Sequence, residues 1–147
     1  YALDIPLIAV STLKLMATRV MFSTLDIDPD TIFVPMIDAR RMEVYTAAYD
    51  FALEELMSPQ PLILDGTSYA DLIDRGRPIL LFGNGSAKAS GTVCAPNVSI
   101  VEGVDPLAVD MIALAERAYT MRDFVDLAYS VPVYLKDFVA TKPKKLF

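Results

Sequence analysis

The stretch PMIDARRMEVYTAAYD, residues 35–50, holds the key to the architecture. Two runs suited to buried strands flank a polar centre at residues 38–42, which predicts a short turn between β-strands. Arg40 and Arg41 stand side by side in that turn, framed by Asp38 and Glu43, although the chain has only 13 basic residues. Such a grouping is either an ion-paired corner facing a cleft or a partner, or a solvated hairpin. In the second case each exposed pair contributes about 0–1 kcal/mol.

The strands on either side carry more information. Along residues 43–50 a period of two sets Val44, Thr46 and Ala48 on one face and Tyr45, Ala47 and Tyr49 on the other. Both faces are partly apolar, so this strand is expected to be covered on both sides. Residues 32–37 read as the preceding strand. Pro35 lacks an N–H there, which points to an edge or a bulge.

Downstream, residues 61–65 predict a third strand, then a short helix with Ser68 and Asp71 as its capping box and Gly76 and Pro78 at its end. Residues 78–82 and 98–101 predict a fourth and a fifth strand. A long helix should come next, opened by Asp105 and Pro106. Its stripe of Leu107, Met111, Leu114, Ala118, Met121, Val125 and Ala128 should be core. Upstream, residues 7–10 suggest a strand. Ser11 suits the N-cap of a helix carrying Leu13, Met16, Ala17, Val20 and Met21 at helical spacing. LDIDPDT, residues 25–31, is the one linker-like stretch. This order predicts an α/β fold, a mixed sheet with helices on its faces.

Composition narrows the function. Nineteen acidic residues against thirteen basic ones give a net charge of −6. That argues against a nucleic-acid footprint spread over the surface, so any RNA would be met through a partner. A single cysteine, Cys94, excludes an internal disulfide framework and fits a reducing, cytoplasmic setting. No apolar run approaches a membrane span, yet 54% of the residues are hydrophobic. Something apolar is expected to be covered by another surface.

IDARRMEVY, taken with IPLIAVSTLKLMA upstream, FGNGSAK at 82–88 and PVYLKDFVATK at 132–142, resembles the TsaB family. These are the YeaZ-type, glycoprotease-like proteins of bacterial tRNA threonylcarbamoyladenosine synthesis. The resemblance implies an actin-like ATPase architecture of two ribonuclease-H-like halves, of which this chain matches the second. It further implies that residues 1–24 are the end of the first half with the helix crossing between halves, residues 31–140 the C-terminal half, and 141–147 a tail. On this reading the abrupt start at Tyr1 marks a fragment lacking most of the N-terminal half.

The chemical candidates are few. The resemblance places Gly83, Asn84, Gly85 and Ser86 at the border of a nucleotide cleft, but their spacing completes neither G-x-G-x-x-G nor a P-loop. A tight turn is the simpler reading. The chain has no histidine, so neither a His-based metal site nor an activated Cys94 can be built from it. The resemblance implies a non-catalytic scaffold without a cofactor, paired with a TsaD-type catalytic relative and a TsaE-type ATPase, and forming homodimers. The competing reading is a nucleotide-binding transferase or a glycoprotease-type endopeptidase. With the first half absent, Leu13, Met16, Val20 and Met21 are expected to form a self-association surface. TKPKKLF, residues 141–147, is a small basic tail.

Overall fold

A computed structural model describes residues 5–135. Five strands form one sheet: β1 (Ile32–Asp38), β2 (Glu43–Tyr49), β3 (Glu55–Ile63), β4 (Ile79–Phe82) and β5 (Val98–Val101). The order across the sheet is β3-β2-β1-β4-β5. β1, β2 and β3 pair antiparallel as a meander, whereas β4 and β5 join β1 in parallel. This is the mixed, ribonuclease-H-like sheet expected from the sequence.

Alternation along β1 and β2 divides the core into two layers. On one face, α1 (Thr12–Ser23) lays Leu13, Met16, Ala17 and Val20 against Phe33, Ala47, Tyr49 and Phe82. On the other, Ile32, Val34, Met36, Val44, Ala48 and Leu81 pack with Tyr69, Leu72, Ala89 and Val93. The Ser11 hydroxyl caps α1 by accepting from the Lys14 N–H. Leu72 comes from the single turn of α2 (Ala70–Ile73). β2 is covered on both faces, as its two-sided pattern required.

Several expectations change. Pro35 lies in the central strand, not at an edge. The β1–β2 register runs unbroken past it, with Phe33 opposite Tyr49 and Met36 opposite Thr46, while β2 shifts register against β3 just beyond Thr46. The buried Thr46 hydroxyl donates to the Pro35 carbonyl at 2.9 Å and accepts from the Tyr69 hydroxyl at 3.0 Å. This gives the buried Pro35 carbonyl a partner and ties β1 to β2 beside the proline. The third strand starts at Glu55 and runs through Pro59 and Pro61. β3 is an edge strand, where proline leaves no inner partner unsatisfied.

The capping box does not form. Tyr69, in the left-handed region at φ 64°, precedes α2 without a side-chain cap, while the Ser68 hydroxyl accepts from the Asp65 N–H at 2.9 Å. The long helix is also shorter than its stripe. A 3-10 turn at Ala108–Met111 leads into α3 (Ile112–Met121), which ends at Arg122 with φ 56°. Neither segment has a buried residue; only Met111 and Leu114 of the stripe pack partly on the core, and Met121 is 68% exposed. Residues 7–10 form no strand; Leu7 makes one antiparallel bridge to Val125. The self-association surface is corrected too. Leu13, Met16 and Val20 are buried against the chain's own sheet and Met21 is half-buried, so this helix face already has its cover. The tail at 141–147 lies outside the described residues.

Candidate functional site

The two polar motifs of the sequence meet at one place. β1 and β4 run parallel with Pro35 opposite Phe82, so the segments leaving both strands emerge at the same end of the sheet. β1 leads into Asp38 and the arginine turn, β4 into the glycine loop. In open α/β sheets this crevice beyond the strands' carboxyl ends is where ligands bind.

The loop is fitted against the hairpin by its small residues. Gly83 has φ 104°, and a Cβ there would collide with the Met36 carbonyl oxygen and with the Met16 methyl at 2.6 Å. At Gly85 a Cβ would lie 2.9 Å from a Val44 methyl and 3.1 Å from the Asp38 nitrogen. Hydrogen bonds complete the fit. The Gly85 N–H donates to Met36 O at 3.0 Å, and the Asp38 N–H donates to Asn84 Oδ1 at 2.9 Å. Ser86, 4% exposed, donates its hydroxyl to Gly83 O at 2.7 Å. These loop N–H groups are turned inward: Ser86 N–H also binds Gly83 O, and Lys88 N–H binds Gly85 O. The loop is a tight turn rather than a row of free donors.

Asp38 is the electrostatic centre. Its Oδ1 accepts from the Lys88 ammonium at 2.6 Å and from the Arg40 N–H at 2.6 Å. The bond from Lys88, then that from the Arg40 backbone, holds the carboxyl below its ordinary value. Lys88 donates as well to Glu43 O at 3.0 Å, which ties the 3-10 turn Ser86–Lys88 to both strands of the hairpin. The ion pair at this corner is thus made by Lys88 and not by either arginine of the turn. Arg40 serves Asp38 through its main chain, and neither arginine side chain forms an ion pair among the described residues.

Both arginines are exposed and both lie in the left-handed region, at φ 70° and 50°. Each such residue costs about 1–2 kcal/mol relative to an ordinary conformation. The turn holds them there through Glu43 N–H to Arg40 O and Ala39 N–H to Glu43 O, both 3.1 Å. Two guanidinium groups, without an ion-pair partner among the described residues, thus stand exposed beside this corner. Lys88 is the site residue that sequence reasoning misses. Its only local signal is a lysine two places beyond the GNGS loop.

Over residues 1–146 the sequence matches the family described as TsaD: tRNA N6-adenosine threonylcarbamoyltransferase. Two solved structures are similar in fold. One is an uncharacterized protein with similarity to peptidase YeaZ from Pseudomonas aeruginosa, with TM-score 0.70 and 23% identity over 92% of this chain. The other is YeaZ from Pseudomonas aeruginosa, with TM-score 0.68 and 24% identity over 91%. The matched part covers 61% of each of those chains, so this chain spans about three-fifths of their length. No curated protein matches.

Proposed function

Because the chain belongs to the TsaD: tRNA N6-adenosine threonylcarbamoyltransferase family, we propose that it serves threonylcarbamoyladenosine modification of tRNA as a non-catalytic activating partner. The observation that carries this reading is the glycine loop. Its Gly85, Ser86 and Lys88 N–H groups are spent on internal carbonyls, and the neighbouring Lys88 ammonium is spent on Asp38 and Glu43 O. A loop that grips phosphate needs such donors free. Residues 1–147 also contain no histidine, the commonest side-chain ligand of a catalytic metal.

What the site offers instead is a stiff corner carrying Arg40 and Arg41, suited to an acidic patch on another protein. The partners in this proposal are a TsaD-type catalytic subunit and a TsaE-type ATPase in the cytoplasm. The protein forms a homodimer when alone and meets tRNA only through the complex. Among the described residues no helix is long and apolar enough to cross a membrane. Assaying purified full-length protein alone, with ATP, tRNA and the threonylcarbamoyl precursors, separates this role from a transferase. Product and ATP turnover at background are expected. Turnover lost in Lys88→Ala would overturn the reading, and so would cleavage of a glycoprotein substrate.

A further inference from the structure

Two grooves open along one face of α1. The first lies at Ser11 and Thr12 and is lined in part by Leu135, the last residue that the structure describes. The second, of about 500 Å³, has Thr18, Arg19 and Phe22 on one wall and Leu107, Val109 and Ile112 on the other. Ser11, Thr18 and Phe22 fall at i, i+7 and i+11, which a helix of 3.6 residues per turn brings to the same side.

The second groove combines exposed apolar walls with an acidic edge. Leu107, Val109 and Ile112 are all exposed, Val109 at 61%, and an exposed apolar cluster rimmed by polar groups marks an interaction surface. The Arg19 guanidinium is answered by Asp110 at 3.2 Å. Glu116, which also lines the groove, has no ion-pair partner among the described residues. The charged lining residues Arg19, Asp110 and Glu116 are therefore negative on balance, and the groove suits a basic segment with apolar side chains.

The sequence beyond Leu135 contains such a segment. Lys142, Lys144 and Lys145 stand within four residues and are followed directly by Leu146 and Phe147. Its reach also fits. Leu135 lies beside the first turn of α1, and Thr12 and Arg19 are about 10 Å apart along the helix axis. Residues 136–141 span up to about 20 Å when extended, enough to bring residues 142–147 to the second groove. We propose that residues 142–147 of this chain occupy that groove, with Leu146 and Phe147 against Val109 and Ile112 and the lysines toward Glu116. The contact fastens α3, which buries no residue of its own, to α1.

The groove is separate from the Asp38–Lys88 corner, so its occupancy is tested apart from the role in tRNA modification. Full-length protein carrying Cys94→Ser receives Val109→Cys together with Leu146→Cys and is oxidised with diamide at low salt. Val109 is exposed, so the variant should fold, which thermal unfolding checks. A disulfide within one chain is expected. It should form about tenfold or more faster than in a control with Asp71→Cys in place of Val109→Cys, because α2 covers the opposite face of the sheet. Adding Glu116→Lys should slow the reaction by about threefold, and changing Lys142, Lys144 and Lys145 to Glu as well should restore it. A disulfide between two chains would assign the groove to a second copy and overturn the proposal. A rate no faster than the control, or one unmoved by Glu116→Lys, would overturn it too.

Discussion

Lys88 reaches Asp38 at 2.6 Å across a sequence separation of 50 residues, and in doing so joins the glycine loop to the arginine hairpin. The pair makes the corner sensitive to acid. A carboxyl held low in the folded state adds stability above its unfolded value, here 3.8, and loses that contribution as pH falls through the folded value. Asp38→Asn should therefore reduce the drop in melting temperature between roughly pH 5 and pH 2. A remaining drop is expected because Asp65 is also held low, chiefly by the Thr67 hydroxyl. An unchanged acid profile in Asp38→Asn would show that the Lys88 bond does not persist in solution.

Gly83 should be the least replaceable glycine of the site. Gly83→Ala meets both the left-handed conformation and the Met36 carbonyl, so a loss of about 2–4 kcal/mol is expected in urea unfolding. Gly91 provides the control. It has φ 93° with nothing within 4 Å of a Cβ, so alanine there should cost only the backbone term of about 1 kcal/mol.

The arginine turn predicts opposite effects on stability and function. Arg40→Gly and Arg41→Gly should each raise stability by about 1 kcal/mol, since glycine adopts positive φ without a Cβ penalty. Changing both arginines to Ser should keep stability within about 0.5 kcal/mol. If the guanidinium groups meet a partner, all of these variants should lower threonylcarbamoyladenosine formation in the assembled system. Equal activity in every variant would reduce the turn to a solvated hairpin.

Met16 tests the corrected role of α1. It is fully buried between the helix and the sheet, so Met16→Ala should cost about 2–5 kcal/mol. Phe22, on the same helix but 74% exposed, should tolerate Ser within about 0.5 kcal/mol. Light scattering on the folded variants checks the rest. A change of oligomeric state in Met16→Ala without loss of stability would return this face to self-association.

The two-sided pattern of β2 and the Ser11 cap were legible because each depends on residues close in sequence. Pro35 misled for a long-range reason: its carbonyl is satisfied by Thr46, itself anchored by Tyr69, and no local rule predicts that pair. The stripe on α3 misled differently, since helical periodicity reports an apolar face but not what lies against it. The polar motifs were visible separately. Their union through Lys88 depends on the parallel pairing of β1 with β4, which fixes which loop ends lie together and is not contained in either motif.

Activation of another subunit without catalysis by this protein itself can be read out in reconstituted tRNA modification. Threonylcarbamoyladenosine is measured by mass spectrometry of tRNA incubated with a TsaD-type subunit and a TsaE-type ATPase, with full-length protein added, omitted or replaced by the Arg40→Ser, Arg41→Ser double variant. We expect no product without the catalytic subunit, a strong rise when this protein is added, and a reduced rise with the folded double variant. Product formed by this protein in the absence of the TsaD-type subunit, or full modification when this protein is omitted, would refute an activating role.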